Sequence, residues 1–199
     1  METVLAENIA FTPTSAEQER KLLWQVLAIN FFFFVLEMLT GFFANSMGLV
    51  ADSLDMLADS IIYGLALFAV GGTITRKKNI AKSAGYFQLA LAVFGFVEVF
   101  RRCYGSESIP VFQTMVVVSI FALIGNGICL YLLQKSKSKE AHMQASMIFT
   151  SNDVTVNLGV ILAGGLVCLT NSKYPDLIVG AVVFLIVVQG SFKILKLAK

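Results

Sequence analysis

Long apolar stretches alternate along the chain with short polar connections. A helix needs about 20 mainly apolar residues to cross a hydrocarbon core of about 30 Å, and most of the stretches are close to that length. The six stretches are Leu23–Phe43, Met47–Val70, Ala84–Phe100, Val111–Leu133, Ser146–Leu169 and Leu177–Leu195. The third stretch is short, so we expect its helix to extend into the residues on either side. This pattern predicts an all-α integral membrane protein with six transmembrane helices.

The connections indicate how the helices are arranged. Residues 44–46 form so short a turn that the first two helices should pack antiparallel. Residues 1–22 are polar and lack the apolar core of a secretory signal peptide. We therefore expect a polar N-terminal cytoplasmic segment over residues 1–22 and a single six-helix transmembrane domain over residues 23–199.

The basic residues predict the orientation of these helices. If the N-terminus is cytoplasmic, twelve of the fifteen Lys and Arg residues fall on the cytoplasmic side. Cytoplasmic loops of membrane proteins carry an excess of Lys and Arg. The sequence therefore predicts that both termini are cytoplasmic.

Composition narrows the class of protein further. Hydrophobic residues make up 57% of the chain and charged residues 14%, whereas a soluble domain is about a quarter charged. The net charge of +2 argues against nucleic acid as a partner. The cysteines at positions 103, 129 and 168 form no CxxC pair, so they fit neither a disulfide framework nor a zinc–thiolate site.

Four aspartates lie inside the predicted spans. Asp52, Asp55 and Asp59 have the spacing i, i+3, i+7 in the second helix, which places them within about 60° of one another on one face. Asp153 lies at a similar depth in the fifth helix. Each ionisable group at the bilayer centre costs roughly 2.5–3.5 kcal/mol even on lenient scales, so such groups mark functional sites.

These acids need a compensating partner. No Lys or Arg lies in the central part of any predicted span, so we expect no basic partner for them. They must be protonated, hydrated or bound to a cation, and carboxylate oxygens suit divalent metals. Hydrogen bonding between helices by protonated carboxyl groups is the structural alternative, and for Asp52 alone the two accounts are equally good.

The second helix resembles the corresponding helix of the cation diffusion facilitator family. That family's motif runs from a Ser through small and apolar residues to an Asp, then to His or Asp, and four residues on to a second Asp. Ser46, Asp52, Asp55 and Asp59 meet each of these positions. Further matches stand at Glu37, Gly41 and Asn45 in helix 1, at Asn126 in helix 4 and at Asp176 before helix 6. The resemblance covers about residues 20–197.

The resemblance implies a secondary transporter that exports a divalent transition metal, usually zinc, in exchange for protons. It implies no enzymatic activity, no prosthetic group and a tetrahedral metal site between helices 2 and 5. Carried over by position, Asp55 and Asp59 are the ligands from helix 2, and Asp153 is the last residue of the helix-5 motif His/Asp-x-x-x-Asp. Asp52 and Asn157 are further candidate ligands. We expect a homodimer in a bacterial plasma membrane.

Several features depart from the family pattern. Phe149, four residues before Asp153, stands where the family has a ligand. Asn157 or water could replace that ligand, whereas Asn152 should point about 100° away. His142 lies too far from Asp153 to complete the site. A set of carboxylates favours manganese or iron(II) over zinc, although family precedent favours zinc.

Most relatives also carry a soluble C-terminal domain that dimerises and senses metal, and many zinc exporters have a His-rich cytoplasmic loop. The expectation from this sequence is a short form without either feature.

Other functions remain open at this stage. Intramembrane aspartyl proteases also use two Asp residues, but their motif, commonly Gly-x-Gly-Asp, is absent from the sequence. A transport-inactive relative that binds metal or scaffolds a partner is the stronger alternative. Outside the carboxylate cluster, Glu98 has the spacing for a helix-face ion pair with Arg101 and Arg102, and Glu37 is a candidate for an outer access path.

Overall fold

A computed structural model describes residues 15–69, 74–106, 108–135 and 141–197, and these residues form six helices and no strand. The helices are α1 (Ser15–Phe43), α2 (Met47–Ala69), α3 (Ile74–Tyr104), α4 (Phe112–Lys135), α5 (Ala141–Thr170) and α6 (Tyr174–Leu197). The all-α fold class predicted from the sequence is confirmed.

Two helices extend well beyond the apolar stretches that predicted them. Helix α3 has 31 residues and takes up the polar segment before Ala84, as the shortness of its apolar stretch led us to expect. Helix α1 begins at Ser15, inside the segment assigned to the polar N-terminus. Lys, Arg, Glu and Gln favour helix almost as strongly as Leu does, so a helix need not end where its apolar residues end. Residues 1–14 lie outside the described part of the chain.

Helix α2 is the centre of the bundle, because it contacts each of the other five described helices. Glycines on its neighbours allow this close approach. A Cβ atom on Gly180 of α6 would lie 2.9 Å from the backbone carbon of Met47, and one on Gly41 of α1 would lie 3.0 Å from the backbone nitrogen of Val50. This enclosure buries Asp52, Asp55 and Asp59, which are 0%, 7% and 2% exposed.

The turn between α1 and α2 has a defined helix-ending geometry. Asn45 adopts a left-handed backbone with φ of 56°, which Asn tolerates better than most residues. The Ser46 N–H donates to the Gly41 carbonyl at 2.9 Å, and the Asn45 N–H donates to the Phe42 carbonyl at 3.3 Å. These two bonds form a Schellman motif, which reverses the chain and places α2 directly against α1 as predicted.

We call the end of the bundle that holds this turn and the α5–α6 connection the turn end. There, Asp176 of α6 accepts hydrogen bonds from Ser46 Oγ at 2.6 Å, from Met47 N at 2.7 Å and from Gly48 N at 3.0 Å. A carboxylate that accepts bonds from the first N–H groups of a helix satisfies donors that have no partner within it. Asp176 is fully buried, so it fastens the start of α6 to the start of α2.

Ion pairing at the same end agrees with the sequence. Glu98 accepts hydrogen bonds from Arg101 Nε at 2.7 Å and from Arg102 Nε at 2.9 Å. The predicted helix-face ion pair is therefore confirmed. Arg102 also donates to the carbonyl of Asn45 at 3.0 Å, which connects the end of α3 to the α1–α2 turn.

The outer surface of the bundle is apolar. Phe42, Phe94 and Leu162, from three different helices, are 70%, 74% and 68% exposed. Among the described residues, four helical segments are long and apolar enough to cross a membrane: Arg20–Phe43, Phe112–Lys135, Thr150–Thr170 and Tyr174–Lys196. Helix α3 carries seven Asp, Glu, Lys and Arg residues, more than any of these four segments, and the three aspartates of α2 lie close together in its sequence. This exterior is that of a multi-pass membrane protein and is compatible with six spans.

Candidate functional site

A cavity of about 260 Å³ lies between α2, α5 and α6. Asp55 and Asp59 line it from α2, and Asp153 lines it from α5. Its other lining residues are Asn152, Thr155, Val156, Ile186, Gln189, Gly190 and Lys193. The structure thus brings the three aspartates singled out by the sequence to the wall of one cavity.

The carboxyl groups of these aspartates are close but do not form a compact ligand set. The carboxyl groups of Asp59 and Asp153 are close enough to interact electrostatically. However, within the described residues no group of three or more His, Cys, Asp and Glu side chains is arranged to hold one metal ion. A cation that uses all three carboxylates would therefore require the side chains, or the helices that carry them, to move closer together.

The hydroxyl group of Tyr63 in α2 contacts Asp59 and the neighbouring helix α5. Its hydroxyl lies 3.3 Å from Asp59 Oδ2, to which it can donate, and 2.8 Å from the hydroxyl oxygen of Thr150 in α5. Tyr63 and Thr150 are both fully buried. Neither was predicted from the sequence, although Tyr63 is four residues after Asp59 and Thr150 is three residues before Asp153. Helical spacing alone would place each near its aspartate.

Asp52 occupies a different position from the other two aspartates of α2. It lies beside Glu37 of α1 rather than among the residues that line the cavity. Both side chains are fully buried, and none of their four carboxyl oxygens has a hydrogen-bond partner among the described residues. The structure therefore places Asp52 next to Glu37, the residue that the sequence suggested for an outer access path.

The two asparagines near Asp153 differ from each other in their surroundings. Asn157 Nδ2 donates to the backbone carbonyl of Asp153 at 2.8 Å, and its buried Oδ1 has no hydrogen-bond partner in the described chain. Asn152 also lines the cavity, although it is about 100° around α5 from Asp153 by helical register. The cavity extends from the carboxylates toward α6. Its wall therefore includes residues of α5 beside the face that carries Asp153.

One face of α6 forms the remaining wall, and the sequence did not predict it. Ile186, Gln189, Gly190 and Lys193 line the cavity with the spacing i, i+3, i+4, i+7. The positive charge of Lys193 acts on Asp55. The expectation that these acids have no basic partner is therefore wrong for Asp55. Lys193 is near the end of α6, but its place on this face directs it into the cavity rather than only into the surrounding water.

Two residues discussed from the sequence fall where the structure describes only the backbone. Phe149 and His142 belong to α5, but their side chains are outside the described part of the structure. By helical register, Phe149 is about one turn before Asp153 on the same side of α5. The statement that it replaces a ligand therefore stays a prediction from the sequence.

The comparison with known families decides what kind of bundle this is. The family model of the cation efflux transmembrane domain matches residues 23–198. The chain belongs to the cation efflux family. This is the group of cation diffusion facilitators that the motif in α2 resembles, so the predicted family is confirmed.

Individual relatives in the cation efflux family support the same assignment. Zinc transporter ZitB of Pectobacterium atrosepticum is 27% identical over 190 residues, which cover 88% of this chain and 59% of the relative. The metal cation efflux system protein CzcD of Cupriavidus metallidurans is 24% identical over 182 residues, or 85% of this chain and 57% of the relative. The vacuolar zinc transporter ZRC1 of Saccharomyces cerevisiae is 27% identical over 146 residues, or 66% of this chain and 33% of the relative. The chain thus spans about three fifths or less of the length of these relatives.

Proposed function

We propose that this protein exports a divalent transition-metal cation from the cytoplasm in exchange for protons. Zinc is the first candidate, and manganese and iron(II) are the alternatives. One observation carries the proposal: three aspartates from two helices line a single cavity within a cation efflux domain. The names of the matched relatives, which include two zinc transporters, support the choice of metal.

The chemistry of the cavity suits a doubly charged ion. Asp55, Asp59 and Asp153 are between 1% and 7% exposed, so ionising all of them without a cation would place a concentrated negative charge in a poorly hydrated region. Carboxylate oxygens bind divalent metals and also accept protons. The same three groups can therefore hold a metal in one state and protons in another, which is the requirement for exchange.

The two ends of the bundle differ in a way that fits alternating access. Asn152, Thr155, Gln189 and Lys193 on the cavity wall are exposed at the protein surface. At the turn end, Asp176 holds α2 and α6 together through buried hydrogen bonds. With both termini cytoplasmic, as the sequence predicts, the cavity lies toward the cytoplasmic side. We therefore infer that this conformation accepts the cation from the cytoplasm and that the turn end must open to release it.

Metal flux into proteoliposomes tests the proposal directly. Liposomes with the purified protein, loaded with a fluorescent zinc indicator, should take up external Zn²⁺ much faster than protein-free liposomes. The same measurement with Mn²⁺ and Fe²⁺ would rank the substrates. If the vesicles with protein are no faster than the empty ones for any of the three metals, the transport proposal is excluded.

Phe149 provides a prediction about the choice of metal. Phe149→His should raise affinity for Zn²⁺ relative to Mn²⁺, because imidazole suits zinc better than manganese and the position is one turn from Asp153. The imidazole ring is smaller than phenyl, so we expect no overpacking. The zinc-to-manganese affinity ratio should rise about tenfold, in line with the loss or gain of one good ligand interaction.

Calorimetry on detergent-solubilised protein measures this ratio, and Phe149→Leu serves as the control because it changes the ring without adding a ligand. Tighter zinc binding should also slow release, so zinc turnover should fall while affinity rises. An unchanged ratio in Phe149→His would show that position 149 does not face the metal.

A transport-inactive relative that binds metal or scaffolds a partner is the second candidate function. Two observations favour it: the described residues contain no compact group of three ligands, and position 149 holds Phe instead of a ligand. The flux assay separates the two candidates, since an inactive relative would bind Zn²⁺ without carrying it. The export proposal also includes a homodimer in a bacterial plasma membrane, as expected from the sequence. Its proposed metal ligands are Asp55, Asp59 and Asp153, with Asn157 and Asp52 as further candidates.

A further inference from the structure

We propose that Lys193 is a tethered cation that occupies the carboxylate cavity when no metal is bound and thereby excludes monovalent ions. The inference rests on the proposed function, since it assigns to Lys193 the selectivity of that cavity for doubly charged ions. It concerns a residue near the end of α6 that the sequence did not predict to take part in the site.

The geometry of α6 supports this role. Lys193 lines the same cavity as Asp55, Asp59 and Asp153, and its charge acts on Asp55. Lys196, three residues further along α6, is also exposed but is not among the residues that line the cavity. Of these two lysines near the end of one helix, only Lys193 faces the aspartates. Lys193 therefore differs from Lys196 in its position on the face of α6, although both are basic residues near the same end of the helix.

The cavity has room for the ammonium group to stay or leave. A Cβ atom on Gly190 would meet no other atom within 4 Å, so the space beside the preceding turn of α6 is open. A lysine side chain has a flexible four-carbon stem that can carry its charge toward water while the stem stays against apolar surface. Because Lys193 is near the end of α6, its ammonium group can move out of the cavity toward the end of the bundle when a metal enters.

The charge of the ammonium group explains the selectivity. A lysine ammonium is a compact single positive charge, comparable in charge to a sodium or potassium ion. A monovalent ion that displaces it gains no additional charge interaction with the carboxylates, and it competes with a group that is covalently held beside them. A divalent ion brings twice the charge, so its attraction to the same carboxylates is about twice as large. The tethered ammonium is therefore displaced by divalent ions and not by monovalent ones.

Zinc binding in the presence and absence of sodium tests this inference. Calorimetry on the purified protein in detergent would measure Zn²⁺ affinity in about 150 mM NaCl and in the same concentration of N-methyl-D-glucamine chloride, which equalises ionic screening with a bulky cation. Wild type should change less than about twofold between the salts, whereas Lys193→Gln should bind Zn²⁺ about fivefold or more weakly in sodium, because Na⁺ can then occupy the vacated cavity.

Two further variants make the result specific. Lys193→Arg keeps the charge and should behave as wild type does, and Lys196→Gln removes a charge outside the cavity and should also be insensitive to sodium. Equal sodium sensitivity of wild type and Lys193→Gln would overturn the inference while leaving the proposed function intact. If wild type binds none of Zn²⁺, Mn²⁺ and Fe²⁺ in either salt, the proposed function is overturned, and the role of Lys193 with it.

Discussion

Asp59→Ala is expected to abolish metal transport while the protein still inserts and folds. Asp59 is buried at the cavity, accepts a hydrogen bond from the Tyr63 hydroxyl and interacts electrostatically with Asp153. Its removal takes away one of three carboxylates and leaves Asp153 without its neighbour. Loss of one of so few ligands should reduce transport to the background of protein-free liposomes, measured as Zn²⁺ flux. Asp55→Ala should have the same effect.

Variants of neighbouring residues show whether this loss is specific to the cavity. Asp52→Asn removes a buried carboxyl group from the same helix, but Asp52 lies beside Glu37 and away from the cavity wall, so its effect should be milder. Tyr63→Phe removes only the hydroxyl that orients Asp59, and such supporting groups are worth about tenfold or more in metal affinity. Size-exclusion profiles should match wild type for each variant. Full metal flux by Asp59→Ala would refute the assignment of Asp59 as a ligand.

The fold could be predicted from the sequence to a large extent because a bilayer restricts the choices. Backbone groups in hydrocarbon must be satisfied within each segment, so an apolar stretch of about 20 residues is necessarily a helix. The short connection around Asn45 fixed α1 and α2 as neighbours. The ends of α3 could not be predicted from hydropathy, because polar residues such as those before Ala84 continue a helix into water as readily as they end it. Contacts between distant helices, such as Gly180 on Met47, have no signal in a single sequence.

The site was predictable where its residues lie on one helix and not where it depends on how helices face one another. The spacing of Asp55 and Asp59 places both on one face of α2, and the burial cost of Asp153 marked it without any knowledge of its neighbours. The face of α6 was missed, because Gln189 and Lys193 look like ordinary residues near a helix end until α6 is packed against α2. Asn152 was rejected for a related reason: its angle from Asp153 was known, but the direction in which the cavity extends was not.

Zinc accumulation against its gradient is expected to require a pH difference across the membrane. In the empty state those carboxylates of Asp55, Asp59 and Asp153 that Lys193 does not neutralise should hold protons, because an ionised cluster inside a bilayer is costly. Metal binding then releases those protons, since a carboxylate must be deprotonated to bind a metal. On the acidic side protons displace the metal, and on the alkaline side the emptied site can load again. Proteoliposomes with an acidic lumen should therefore concentrate Zn²⁺ inside.

Collapse of the pH gradient separates exchange from simple facilitated diffusion. After addition of nigericin in potassium buffer, lumenal Zn²⁺ should fall to the external concentration, whereas the initial downhill flux of Zn²⁺ should persist. Reversing the gradient should reverse the direction of net transport, because the same protons then displace metal on the outer side. Continued uphill accumulation after the collapse would exclude protons as the driving ion. The carboxylates would then serve as metal ligands only, and the energy for export would have to come from another ion.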